Sequence, residues 1–191
     1  MAMADAVLGS WRLDPVEILL LAGSLMLYLR GFGRVRLQMP DRFPPWRAWS
    51  FGFGLSTVWI AIASPLDAFA GFLFWTHMVQ HLLLMFVAPP LLLLGAPALP
   101  FLRGLPEKLA KNGAGRFLRE GPWRRFFDRL THPAVCWIIF VVVTWVWHAP
   151  VLYEMALRDG FWHGAEHLSF LAASLLFWWP VVQPWPSRSH W

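Results

Sequence analysis

The chain has 191 residues, of which 58% are hydrophobic and only 14% charged, with mean hydropathy +0.49. A soluble domain carries about 25% charged residues and a disordered chain few apolar ones, so the composition excludes both and points to a bilayer. The net charge of +5 comes from basic residues that fall mostly between apolar runs, which argues against a nucleic-acid surface, and the single cysteine, Cys136, excludes an internal disulfide or a thiolate-pair metal site.

The N-terminus carries Asp5 and no basic residue before Arg12, so no cleaved signal peptide is expected. Five apolar runs follow, at roughly 13–30, 48–64, 70–89, 133–149 and 161–182. Pro89-Pro90 is expected to end or sharply bend the third, leaving a short apolar segment behind it. Roughly residues 103–131 read as a basic loop, and the stretch after Pro122 reads as a short helix lying among lipid headgroups. The expected fold is therefore an all-α, polytopic membrane helix bundle of about five transmembrane helices, forming one domain. With five spans, Arg12 and Arg158 alone of the 16 Lys and Arg fall on one side. Basic residues collect on the cytoplasmic side, which places the N-terminus outside and the C-terminus in the cytoplasm.

That topology sets His77, His81, His148, His163 and His167 at similar depth near the outer side of three helices. His77 and His81 are spaced i, i+4, as are His163 and His167, so each pair shares a helix face. Thr76 and Gln80 extend the first polar stripe, and Glu166 and Ser174 the second. Polar stripes in apolar helices should face one another, since lipid offers no partners. Lone intramembrane histidines often serve only as interhelical hydrogen bonds. Five at one depth, with two pairs at ligand spacing, point instead to a metal or haem site. Glu166 and Gln80 would orient the imidazoles from behind. Imidazole donors suit Zn, Cu, Fe or Ni, and Met78, Met85 and Met155 are conceivable soft ligands, although Met78 points away from the His face. His163 to His167 also fits the zinc-peptidase pattern H-x-x-E-H, but no soluble domain is present to admit a peptide. His132 and His190 fall on the other side and have no expected role.

His77-Met78-Val79-Gln80-His81-Leu82-Leu83-Leu84, Ala88-Pro89-Pro90-Leu91 and Gly95-Ala96-Pro97 resemble the CtaG family of cytochrome c oxidase assembly factors, the multi-span type associated with caa-type oxidases. Trp147 to Tyr153, His163 to Phe170 and Phe177-Trp178-Trp179-Pro180 look like further motifs of that family. The resemblance implies a multi-pass protein of the bacterial plasma membrane. It would be a non-enzymatic assembly factor for a haem–copper oxidase, helping copper reach it. Its implied partners are oxidase subunits, a copper-supplying protein and membrane lipid. Family members commonly have more spans, so a homo-oligomer would complete the bundle. The rival expectations are a membrane cytochrome holding haem b between facing histidines, and a structural oxidase partner without a metal.

Overall fold

The computed structural model describes residues 9–12, 14–106 and 121–185, and all regular structure among them is helical. The helices are α1 (Pro15–Gln38), α2 (Trp46–Ala63), α3 (Pro65–Ala70), α4 (Phe74–Leu94), α5 (Ala98–Gly104), α6 (Gly121–Leu130), α7 (Pro133–Trp147), α8 (Pro150–Arg158) and α9 (Gly160–Val182). Three of them, α1, α4 and α9, are long and apolar enough to cross a membrane, and a fourth span arises if α7 and α8 are one broken span. Helix α2 has 18 residues, but three Trp, Arg47 and several small polar residues dilute its hydropathy.

Local chemistry sets the helix ends. Asp14 caps α1, its carboxylate accepting from the Val16 and Glu17 amides, with Pro15 in the first turn. Asp159 caps α9 in the same way, through the Phe161 and Trp162 amides. His132 has a local role that its place in the sequence did not suggest. Its Nδ1 accepts from the Ala134 amide and caps α7.

Two expectations need correction. The first helix extends beyond its apolar run as far as Gln38, so Arg30, Arg34 and Arg36, expected in the loop between the first two spans, ride on α1 instead. Tyr28, Gly31, Phe32 and Val35 explain this, because they form a buried stripe at helical spacing. Gly31 and Gly104 let α1 and α5 meet backbone to backbone: a Cβ on Gly31 would collide with the Pro100 carbonyl, and one on Gly104 with the Leu27 carbonyl. The fourth run stops just short of Pro150, at Trp147, close to its expected end, and α8, which was not separately expected, departs from it at 70°. His148 closes α7, and Pro150 opens the new helix.

The second correction concerns Pro89-Pro90, which does not end α4. A π-helical turn, Leu83–Val87, lies just before the pair, and the Ala88 amide reaches back to the Leu83 carbonyl. The prolines then occupy the first turn of a renewed α segment, where a missing N–H costs least. In an α-helix the Met85 carbonyl would accept from residue 89, and in a π-helix from residue 90. Both are proline, so neither can donate. The Trp178 indole N–H of α9 supplies the missing donor at 3.0 Å.

Two apolar clusters tie the bundle together. One joins α1, α2 and α4 around Tyr28, Phe51, Val58, Leu84, Ala88 and Leu92. Tyr28 stacks on Phe51 at 3.9 Å and donates its hydroxyl to the Gly95 carbonyl at 2.8 Å. The other joins α4, α7, α8 and α9 through Met85, Trp147, Ala156 and Phe170. Leu19, Trp49, Trp145, Phe161 and Leu168 face outward, while Thr76, His77, Gln80, His81, Glu166 and His167 are buried. Apolar groups outside and ionisable groups inside are the arrangement a bilayer selects.

Of the expected basic loop, residues 107–120 lie outside the described residues, as do His190 and the end of the tail. The helix expected after Pro122 is present as α6.

Candidate metal centre

Helix α4 buries one polar face, Thr76, His77, Gln80 and His81. Helix α9 turns Glu166, His167, Phe170 and Ser174 inward. The i, i+4 spacing stacks the imidazoles in pairs, with ring centroids 4.2 Å apart for His77–His81 and 4.2 Å for His163–His167. The pairs then face each other across the two helices, at 5.9 Å for His77–His163 and 5.7 Å for His81–His167. Four imidazoles thus form a closed rectangle.

A carboxylate stands at each of two opposite corners. Glu166 Oε1 lies 3.7 Å from His81 Nε2, and Asp67 Oδ1 lies 3.8 Å from His163 Nδ1. These gaps are too long for hydrogen bonds. They suit two ligand atoms that each lie about 2.0–2.2 Å from a shared cation. The donor atoms of His77, His81 and Glu166 all fall within 4.8 Å of one another, and so do those of Asp67, His163 and His167.

Several buried polar atoms here have no hydrogen-bond partner. They include both ring nitrogens of His77, Nε2 of His81 and of His167, and Oε2 of Glu166. A purely structural histidine network would satisfy its nitrogens, because an unpaired buried polar group costs about 1–3 kcal/mol. Each neutral imidazole keeps one lone pair beside its N–H, and one such nitrogen per ring together with a carboxylate oxygen can ligate a cation, so the residues present fit a metal.

Gln80 is held from behind. Its amide donates to the Ala61 carbonyl at 2.8 Å and to Asp67 Oδ1 at 3.2 Å, fixing α4 against the end of α2 and against α3. His148 does not join the rectangle. It is exposed, its Nδ1 lies 2.7 Å from the Thr144 carbonyl, and its ring meets Phe170 at 6.4 Å. Phe170 in turn packs on His81 at 4.6 Å.

Residues 26–191, the segment that carries this site, match the profile of the cytochrome c oxidase caa3 assembly factors. The chain belongs to that family. Uncharacterised proteins of Mycobacterium bovis and Mycobacterium tuberculosis are each 27% identical to it over 192 residues, 95% of this chain and 28% of theirs. One from Mycobacterium leprae is 27% identical over 191 residues, 93% of this chain and 28% of its own. The chain therefore spans little more than a quarter of the length of these relatives. No solved structure matches it.

In this chain, sequence spacing located the two histidine pairs and Glu166 but passed over Asp67. Asp67 follows Ser64-Pro65, which reads as the stop of an apolar run. Its signal was that a carboxylate lay at the histidine end of the bundle with Arg12 opposite. Arg12 Nη1 donates to Asp67 Oδ2 at 2.9 Å, and the carboxylate raises the guanidinium pKa through that hydrogen bond and its charge.

Proposed function

We propose that this caa3 assembly factor binds copper as cargo at the histidine rectangle and passes it to the haem–copper oxidase during maturation. The observation that carries the reading is the convergence of His77, His81 and Glu166 in one buried group, with the ring nitrogens of His77 and Nε2 of His81 lacking hydrogen-bond partners. Imidazole and carboxylate donors suit Cu(II), and the family's product is a cytochrome c oxidase. His77, His81, His163 and His167 are the ligands in this reading, and Glu166 completes the inner corner. Gln80 positions α4, and His148 stands apart from the ligand set. No chemistry is performed on a substrate: the protein holds the ion and releases it.

The membrane arrangement belongs to the same reading. Helices α1, α2, α4, α7 and α9 form five spans of a bacterial plasma membrane, with the histidine end facing outward and Arg103 and Arg129 facing the cytoplasm. Copper is taken from a supplying protein on the outer side. The oxidase subunits dock in the bilayer, where lipid and a second copy of the chain cover the apolar exterior.

The test compares copper content and oxidase maturation in His77→Ala, His81→Ala and His167→Ala variants. Each should lower copper content and mature oxidase together while inserting normally. His132→Ala, at the far end of α7, should keep both. Wild-type copper content with fully active oxidase in all three would make the cluster structural. A Soret band in the purified protein would assign it to haem b instead.

A further inference from the structure

The rectangle holds more donors than one ion needs, and the Asp67 corner is unused by the reading above. We propose that Asp67, His163 and His167 form a second copper station, nearer the protein surface, which loads first and feeds the His77–His81–Glu166 station, and that Arg12 keeps its affinity low enough for transfer. This inference rests on the copper reading of the rectangle.

The two stations are built alike. Each offers two imidazoles from one helix and a carboxylate from another element: α9 with Asp67 of α3, and α4 with Glu166 of α9. Each has its carboxylate and nearest imidazole nitrogen separated by a gap of 3.7–3.8 Å. His167 Nε2, in a buried side chain, has no partner and belongs to the Asp67 group. The groups differ in access. The side chains of His81 and Glu166 are 6% and 2% exposed, and those of His163 and Asp67 are 19% and 7% exposed, so the difference lies mainly at His163. A cavity of about 250 Å³ lined by Arg12, Asp67, His77 and His163 lies at the junction of the two groups, so an ion there meets Asp67 and His163 beside His77. Between stations the imidazoles are in ring contact, at 5.9 Å and 5.7 Å, so an ion can exchange one histidine for its neighbour without crossing an apolar gap.

Arg12 supplies the weakening. It occupies Asp67 Oδ2, and Gln80 donates to Oδ1, which aims the carboxylate toward His163. A fixed positive charge in contact with the carboxylate opposes a cation on its other oxygen. A station that receives and hands on its ion needs that opposition.

The experiment titrates the purified full chain in detergent with Cu(II) against a chromophoric chelator. Wild type should bind two ions per chain. Asp67→Asn, which keeps the Gln80 acceptor, should bind one, and the His77→Ala/His81→Ala variant should keep one. Arg12→Gln should bind two, with the weaker site at least tenfold tighter. That direction is opposite to simple damage, so a misfolded variant cannot imitate it. Two ions in Asp67→Asn, or one in wild type, would overturn the second station. An unchanged or weaker site in Arg12→Gln would overturn the role of Arg12. No ion in wild type would instead defeat the copper reading itself.

Discussion

Replacing Trp178 with Phe tests how α4 carries Pro89-Pro90 through the bundle. The indole N–H is the donor to the Met85 carbonyl, at 3.0 Å, and the prolines leave that carbonyl no helical alternative. Interhelical hydrogen bonds in membrane proteins average about 0.6 kcal/mol and reach about 1.7. This one belongs near the upper end, because its loss leaves an orphaned acceptor in a buried residue. We expect a loss of about 1.5 kcal/mol, read by reversible unfolding in mixed detergent micelles. Pro89→Ala restores an N–H at the position that an α-helical turn would use. Combined with Trp178→Phe it should therefore recover at least about 0.5 kcal/mol relative to additivity. Wild-type stability in Trp178→Phe, or strict additivity in the double variant, would refute the account of the π turn.

Other outcomes follow from the same contacts. His132→Ala should cost about 1 kcal/mol in the same unfolding assay through loss of the α7 cap, with copper content unchanged. Gly31→Leu should prevent α1 from seating on α5, seen as a large fall in folded yield, while Gly33→Leu, in open space, should not. In a Cys136→Ser background, a cysteine at 158 should be labelled from outside the cell and one at 116 only from the cytoplasm; equal labelling would sink the five-span orientation.

Much of the site was legible because helical spacing is a local property. His77 and His81, like His163 and His167, had to share a face wherever the helices lay, and apolar surroundings then left the two faces little choice but to meet. The membership of Glu166 followed from its place between His163 and His167. His148 had the right depth but the wrong setting, since α7 ends at Trp147 and leaves the ring exposed against Thr144. Depth along a span does not encode which way a residue at a helix end will turn. Asp67 was hidden for a related reason: its partners Arg12, Gln80 and His163 are distant in sequence, and only packing joins them. Within α4 alone, Pro89-Pro90 reads as a break. The compensation lies partly in a π turn and partly in Trp178 of another helix. Likewise α1 outran its apolar stretch because its buried stripe continues past Arg30, beneath charged residues that point elsewhere.

X-ray absorption at the copper edge of the copper-loaded protein tests the central claim most directly. Nitrogen and oxygen donors alone are expected, with the outer-shell scattering of at least two imidazoles per copper, and loss of that scattering when His77, His81, His163 and His167 are all replaced by Ala. A copper–sulfur distance from Cys136 or from Met78, Met85 or Met155, or imidazole scattering that survives the loss of every histidine in the rectangle, would contradict it.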